Sequence, residues 1–154
     1  MKKPKYIEEL LKIIFLWLGI AFVCAGILSY IGVLKPKSSS LIQEPAMMGH
    51  IFLAIGLVFV VVSFISGVIT AKKNKLHSEL LANGIRIKGV VEKVYLQKYT
   101  QYGNQSPYRV QYVYTYQDKV YHHKSCFIWE KPNLVIGDTI TVYVNDFGKS
   151  TILL

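Results

Sequence analysis

The chain has 154 residues, 52% of them apolar, and a formal net charge of +9 at pH 7, which is enough sequence for about one domain. Because no long run of basic residues occurs, the positive charge favours membrane-topology signals and attraction to anionic lipid headgroups, and it disfavours nucleic-acid binding. Cys24 lies within an apolar run and Cys126 in the polar part of the chain, which disfavours a disulfide between them, and neither C-x-x-C nor Cys/His zinc spacing occurs.

A charged lead at residues 1–12 precedes the first apolar run, residues 13–34, which contains no ionised side chain. At about 1.5 Å per residue, a helix of this length crosses the roughly 30 Å hydrocarbon core of a bilayer. The run is longer than the roughly 7–15 residues of a signal-peptide core, and no convincing small-x-small cleavage site follows it. We therefore expect a retained transmembrane helix.

A second apolar run, residues 46–70, contains no Asp, Glu, Lys or Arg and ends at a basic collar formed by Lys72, Lys73 and Lys75. The polar connector at residues 35–45 is short, so the two runs are expected to form a helical hairpin with both termini on one side of the bilayer. Lys and Arg are more numerous in the segments flanking this hairpin than in the connector, which favours a cytoplasmic location for both termini. These features predict a multi-pass protein of the cell (inner) membrane.

Small residues recur at four-residue spacing in both runs: Ala21, Ala25 and Ser29 in the first, with Gly19 and Gly26 beside them, and Ser63 and Gly67 in the second. Small side chains let two helix backbones approach closely. We expect them to pack the two helices against each other. Contact of these surfaces with another membrane protein or with a second copy of the chain is the alternative, so a homo-oligomer stays open.

Residues 72–84 continue the helical pattern beyond the second apolar run. Asn83-Gly84 is a helix-stop signal, and Gly84 is expected in the left-handed conformation that glycine adopts without a Cβ penalty. The predicted organisation is a transmembrane hairpin at residues 1–71 with spans at 13–34 and 46–71, a juxtamembrane helix at 72–84 and a soluble β domain at 85–154.

After Gly84 the pattern changes to the alternation of β-strands, and turn residues separate five segments: 85–97, 108–117, 120–128, 139–145 and 150–154. Gly89 is expected to mark a bulge that bends the first segment, and Asp118-Lys119 is expected at a hairpin turn. We predict an α+β membrane protein, in which a two-helix transmembrane hairpin is followed by a small antiparallel β-barrel or curled sheet of about five strands, of SH3-like or OB-like type.

The alternation of residues 108–117 places four tyrosines on one face of a strand: Tyr108, Tyr112, Tyr114 and Tyr116. An aromatic core is the favoured interpretation. A partner-binding face and a surface that stacks single-stranded bases are the alternatives. Tyr99 and Tyr102 lie in a polar loop with Arg109 close by in the sequence, and these three residues are the candidate contacts for a protein partner.

The order of motifs in residues 72–154 resembles a bacterial family of small membrane proteins that is known as a domain of unknown function. The matching motifs are a G-x-x-x-x-G-x-V opening from Gly84 to Val91, a Y-x-Y hairpin from Tyr112 to Tyr114 and a late G-D-x-[IV]-x-V strand that begins at Gly137. Members of that family have one or two transmembrane helices and a small C-terminal β-rich domain of SH3-like or OB-like type. The resemblance therefore implies this architecture, and it brings no catalytic residues.

The sequence carries no recognisable catalytic motif. It contains no nucleophile elbow, phosphate-binding P-loop, HExxH zinc motif or dinucleotide fingerprint. The adjacent His122 and His123 point to opposite faces of a strand and so cannot chelate one metal in the usual way. We therefore expect no enzyme and no catalytic, cofactor or metal site.

The expected function is that of a non-enzymatic, membrane-anchored interaction or accessory protein whose β domain binds or positions a protein partner at the bilayer surface. One alternative is a toxin or bacteriocin immunity protein that acts through its transmembrane hairpin. The other alternative is an accessory subunit of a transporter or membrane enzyme. The expected partners are the lipid bilayer and a protein of unknown identity, with nucleic acid disfavoured.

Overall fold

Two long helices open the fold. The computed structural model describes residues 3–34 and 44–153, within which helix α1 spans Ile7–Tyr30 and helix α2 spans Pro45–Asn83. Both helices are long and apolar enough to cross a membrane. Helix α1 ends before the first predicted span does, whereas α2 continues well past the second one. Most of the predicted connector at residues 35–45 lies outside the described residues.

The chain divides into two compact units. One is the helical hairpin Glu8–Thr70, and the other, here called the β unit, combines the residues up to Ile7 with those from Ala71 onward. Within the hairpin, a Cβ atom on Gly19 would lie 3.2 Å from the carbonyl oxygen of Gly56, and one on Gly26 would lie 3.1 Å from that of Gly49. The two helix backbones therefore meet at paired glycines, where the lack of a side chain permits the close approach.

Helix α2 ends at the predicted stop signal, but Gly84 has a different role from the predicted one. Its backbone N–H donates to the carbonyl oxygen of Leu80 at 2.9 Å, and Gly84 is not among the residues with positive φ. The expectation of a left-handed Gly84 is therefore wrong. A Cβ atom at this position would collide with the carbonyl oxygen of Leu80, so glycine is required here for space.

Five strands follow α2: β1 (Ile85–Leu96), β2 (Tyr108–Tyr116), β3 (Lys119–Lys124), β4 (Thr139–Val144) and β5 (Ser150–Ile152). They form one antiparallel sheet in the order β3-β2-β1-β4-β5, so the longest strand lies at the centre. The sheet curls into a half-barrel, and in the described part of the chain no strand pairing joins its edge strands β3 and β5. Of the two predicted forms, the α+β chain thus adopts the curled sheet.

The bulge in β1 lies further along the strand than predicted. The register between β1 and β2 shifts between Val91 and Lys93, past Gly89. At Gly89 itself, a Cβ atom would lie 2.6 Å from Cγ2 of Val142 and 3.0 Å from the carbonyl oxygen of Val113. The glycine is therefore explained by close packing in the centre of the sheet, where three strands meet, and the assignment of the bulge to Gly89 is wrong.

The hairpin turn between β2 and β3 is one residue earlier than predicted. Tyr116 pairs with Lys119, which leaves Gln117 and Asp118 as a two-residue loop. Both loop residues have positive φ, at 51° and 59°. This combination is the type I′ geometry, whose twist matches that of the flanking strands.

The core of the β unit is aromatic. Tyr112 and Tyr114 of β2 are only 1% and 2% exposed, and the Tyr114 ring stacks on Tyr121 of β3 with centroids 5.4 Å apart. Buried aliphatic residues from four strands complete this core: Val91, Val110, Val142, Val144 and Ile152. The interpretation of the tyrosine face as a core is confirmed for Tyr112 and Tyr114, whereas Tyr108 and Tyr116 at the two ends of β2 are half-buried.

The N-terminal lead pairs with the segment that follows β3. The backbone N–H of Phe127 donates to the carbonyl oxygen of Lys5 at 2.9 Å, and Nε1 of Trp129 donates to that of Pro4 at 2.7 Å. Lys3 Nζ donates to Oε1 of Gln105 at 2.7 Å. The residues before α1 are therefore part of the β unit, which no pattern in the sequence indicates.

Candidate functional site

The loop between β1 and β2, residues 97–107, displays one aromatic side chain to solvent. Tyr99 is fully exposed, whereas its neighbour Thr100 is buried. The loop base is closed by a bond from the Gln97 N–H to the Pro107 carbonyl at 2.8 Å, and the Thr100 N–H donates back to Gln97 at 3.2 Å. Tyr99 therefore stands on a loop whose backbone is held on both sides of it.

Tyr102 stabilises the same loop through a ring contact and a backbone hydrogen bond. Its ring meets Trp129 edge-on with centroids 6.0 Å apart, and its N–H donates to the carbonyl oxygen of Gln105 at 3.0 Å across a turn in which Gly103 has a φ of 61°. The side chain is half-buried. Of the two predicted contact tyrosines, Tyr99 is thus on the surface and Tyr102 supports the loop from within the unit.

Arg109, the third predicted partner contact, is engaged within the β unit. Its guanidinium carbon lies 5.0 Å from the ring centroid of Phe127, a cation–π distance. Its Nε atom is buried and makes no hydrogen bond to any described residue. The structure thus does not bring Arg109 together with Tyr99 on an open surface.

The predicted helix-packing residues fall in different places on the hairpin. Ser63 is buried and its hydroxyl donates to the carbonyl oxygen of Lys12 in the facing helix at 2.9 Å. Ser29 is buried, and its hydroxyl donates to Ala25 within α1 at 3.0 Å. Ala25 is half-buried and Ala21 is exposed. The predicted Gly67 would place a Cβ atom 3.5 Å from the side chain of Lys12, an ordinary van der Waals contact.

Seven-residue spacing describes the buried small residues of the two helices better than the predicted four-residue spacing does. Gly19 and Gly26 in α1 and Gly49, Gly56, Ser63 and Thr70 in α2 are buried at this spacing, and Ser29 and Ser66, three residues after Gly26 and Ser63, are buried as well. A seven-residue repeat returns to the same face after nearly two helical turns, as expected for two helices that remain side by side.

The basic collar is exposed to solvent. Lys72, Lys73 and Lys75 all have accessible side chains directly after the apolar run. Lys75 lies 3.8 Å from Glu79 one turn later, and Nζ of Lys73 lies 5.6 Å from the ring centroid of Tyr6. The collar therefore offers positive charge where the helix leaves its apolar segment.

A cleft of about 150 Å³ lies within the β unit, between the polar part of α2 and the edge strands of the sheet. Its polar lining includes Lys73, His77, Tyr112, Lys124, Ser125 and Thr151. The Nδ1 atom of His77 is 2.6 Å from Oγ1 of Thr151, which joins α2 to β5 across the cleft. The site thus assembles residues that are far apart in the sequence.

Three side chains that line the cleft, His77, Tyr112 and Cys126, have pKa values shifted toward their neutral forms. Burial lowers the pKa of His77, and the positive charge of Lys5 lowers it further. Burial raises the pKa of Tyr112 to about 12 and also raises the pKa of the Cys126 thiol. A thiol that stays protonated at neutral pH is a poor nucleophile, so the cleft offers cations and hydrogen-bond donors rather than nucleophilic chemistry.

The side chains of the two adjacent histidines of β3 point to opposite faces of the sheet, as predicted. Nδ1 of His122 lies 2.9 Å from Oε1 of Glu92, whose other oxygen accepts a bond from Gln111 at 3.0 Å, and these bonds lower the pKa of the Glu92 carboxyl. His123 packs against the core rings of Tyr114 and Tyr121 instead. Among residues 3–34 and 44–153, no cluster of three or more His, Cys, Asp or Glu residues could hold a metal ion.

Comparison of the chain with protein-family models, with curated proteins and with solved structures finds no match in any of the three. The resemblance of residues 72–154 to a domain of unknown function therefore stays a prediction. The immunity-protein and accessory-subunit alternatives also stay predictions.

Proposed function

We propose that this protein is a non-enzymatic, membrane-anchored accessory protein whose β unit binds a protein partner at the bilayer surface. The observation that carries the proposal is the display of Tyr99. Its ring is fully exposed although the loop on either side of it is held by hydrogen bonds and ring contacts. An aromatic ring presented in this way adds little to the core, and it is typical of a contact residue at a protein interface.

Anchoring in the cell (inner) membrane is supported by the two apolar helices and the basic collar. The exposed side chains of the hairpin include large apolar residues such as Trp17, Leu57 and Phe64. Such a surface is unfavourable in water and favourable in a lipid hydrocarbon core. The exposed lysines that follow the apolar run fit the polar boundary of a bilayer.

A cytoplasmic location for both termini is supported by the connection of the N-terminal lead to the β unit. The residues before α1 and those after α2 belong to one compact unit. If both helices cross the bilayer, the chain returns to the side on which it began. The excess of Lys and Arg in the segments flanking the hairpin favours the cytoplasm as that side.

The partner surface is expected to combine an apolar pocket with acidic groups around it. Tyr99 would fill the pocket, and the exposed Lys98 lies directly beside it in the chain. Basic residues also outnumber acidic ones in the whole chain, by 18 to 9. Complementary charge at such an interface would speed association and select among partners.

Replacing Tyr99 with alanine is expected to release a co-purifying partner while the β unit stays folded. Loss of a central aromatic contact typically costs about 2 kcal/mol or more, which weakens binding roughly thirtyfold. The measurement is quantitative capture of partner proteins by the full chain in mild detergent. Phe147→Ala is the matched control, because Phe147 is 85% exposed in a different turn of the same unit. Equal capture by wild type and Tyr99→Ala would contradict the proposal.

Membrane topology can be tested separately by cysteine labelling. After replacement of Cys24 and Cys126 by serine, Ser39→Cys in the predicted connector should react with a membrane-impermeant maleimide in intact cells. Asn104→Cys, at an exposed site in the Tyr99 loop, should react only after lysis. The reverse labelling pattern would place both termini outside the cell.

A further inference from the structure

The cleft of the β unit combines cationic and hydrogen-bonding side chains from separate segments of the chain. Lys73 comes from α2, Lys124 from the end of β3, and Thr151 from β5. Among the described residues that line the cleft there is no Asp or Glu. An anion entering the cleft would therefore meet attractive charge from its lining and no lining carboxylate.

The cleft also offers a hydrogen-bond donor whichever tautomer His77 adopts. If Thr151 donates its hydroxyl proton to Nδ1, the neutral imidazole carries its proton on Nε2. If Nδ1 donates instead, the hydroxyl proton of Thr151 is not used in that bond. In either case, one N–H or O–H group of His77 or Thr151 is not used in the hydrogen bond between them. Binding of an oxyanion requires such a donor.

The size of the cleft limits the ligand to a small group. Its volume of about 150 Å³ is below the roughly 300–1,000 Å³ of sites that enclose drug-sized molecules. A phosphate group fits this description, and a nucleotide or a peptide would extend far outside. A phosphate that is attached to a larger body lying outside the cleft fits equally well.

Two residues that line the cleft lie on α2 shortly after the end of its apolar run. Lys73 and His77 follow Thr70, the last residue of the apolar run, by about 4.5 Å and 10.5 Å at the rise of an α-helix. The headgroup layer on each side of a bilayer is about 5–8 Å thick. If α2 spans the bilayer, the position of Lys73 falls within this layer and that of His77 lies just beyond it.

We propose that this cleft binds the phosphate of an anionic phospholipid headgroup, with Lys124 and Lys73 as the cations that attract it. The proposal rests on the membrane anchoring proposed above, but not on the partner contact at Tyr99. Inorganic phosphate is the soluble source of the same chemistry. Binding at this cleft would fix the β unit against the bilayer and couple it to lipid composition.

The test uses the full chain in a neutral detergent, titrated with phosphatidylglycerol, with phosphatidylcholine and with inorganic phosphate at constant ionic strength. Native mass spectrometry reports the bound lipid, and the unfolding midpoint reports the effect of phosphate. The informative variant is Lys124→Gln, since Lys124 is exposed. Lys119→Gln is its control, because it removes the same charge from the opposite end of the same strand.

Phosphatidylglycerol is expected to bind more tightly than phosphatidylcholine. Lys124→Gln should weaken that binding about fivefold, the usual effect of one lysine at an anionic surface, and Lys119→Gln should leave it unchanged. Equal weakening by both variants would overturn the proposal, because it would show attraction to net charge alone. A response to neither phosphatidylglycerol nor inorganic phosphate would also overturn it.

The two sources of phosphate are separated by the same titrations. Binding of phosphatidylglycerol that depends on Lys124 supports the lipid headgroup. The alternative result is that inorganic phosphate raises the unfolding midpoint, that Lys124→Gln abolishes this rise, and that no lipid is retained. This result supports a phosphate site and overturns the lipid headgroup as the source of the phosphate. The proposed anchoring would fail if the chain did not fractionate with membranes. The phosphate titration needs no bilayer, so it would still test the cleft in that case.

Discussion

Replacement of Gly56 with alanine is expected to destabilise the helical hairpin by about 1–3 kcal/mol, the usual cost of overpacking. The new Cβ atom would lie 2.8 Å from Cγ2 of Val23, 3.0 Å from the Val23 backbone nitrogen and 3.1 Å from the carbonyl oxygen of Gly19. Two of these three atoms belong to the backbone, so a rotamer change cannot relieve the contact and the helices must separate. The measurement is the midpoint of unfolding of the full chain from a mild detergent into a denaturing one.

The direction of this effect distinguishes packing from helix propensity. Alanine is a better helix former than glycine by about 1 kcal/mol, so propensity alone predicts stabilisation. Gly67→Ala on the same helix is the matched control, because its Cβ atom would make only an ordinary contact at 3.5 Å with the flexible side chain of Lys12. We expect it to be neutral or stabilising. Equal effects of the two variants would show that the glycine contact does not hold the helices together.

Replacement of Tyr114 with alanine should destabilise the β unit by about 3–5 kcal/mol, as for other large aromatic residues in protein cores. Tyr114 is 2% exposed and stacks on Tyr121, and its hydroxyl donates to the carbonyl oxygen of Gly148 at 2.6 Å. Tyr114→Phe should cost about 1–3 kcal/mol, because it leaves a buried carbonyl without its donor. Thermal unfolding followed by near-ultraviolet circular dichroism, which reports aromatic packing, measures both.

Tyr99→Ala provides the internal comparison for these core variants. Its side chain is fully exposed, so its removal should change the stability by no more than about 0.5 kcal/mol. A large loss of stability in Tyr99→Ala would show that Tyr99 supports the fold rather than a partner contact. A small loss in Tyr114→Ala would contradict the aromatic core.

The elements of this fold could be predicted largely from the sequence, because they depend on local patterns. The apolar runs without charge are long enough to predict two membrane-length helices. Alternation predicts the strands, and the opposite orientation of His122 and His123 follows from the two-residue period of a strand alone. The same period places Tyr112 and Tyr114 on one face of β2, but it leaves open whether that face is the core or a partner surface, and the structure shows both rings buried.

The contacts between elements could not be predicted in the same way. Four-residue spacing indicates Ala21 for the helix contact, yet Ala21 is exposed and the glycines at seven-residue spacing are buried. The choice between these faces depends on how the facing helix lies, which neither helix encodes alone. Arg109 looks like a surface residue on an alternating strand, but its guanidinium lies over Phe127 from a different segment.

The sequence by itself determined that two apolar helices precede a small antiparallel sheet with tyrosines along one face of a strand, because charge-free length and periodicity are properties of adjacent residues. Only the tertiary structure decided that Gly84 is needed for space, that Lys5 pairs with Phe127, and that the cleft draws its lining from both α2 and β5. The requirement at Gly84 comes from the backbone path at the end of α2, where the Leu80 carbonyl oxygen lies against it. The other two depend on atoms brought together by folding from positions far apart in the chain. The proposed sites for a protein partner and for phosphate follow from that assembly.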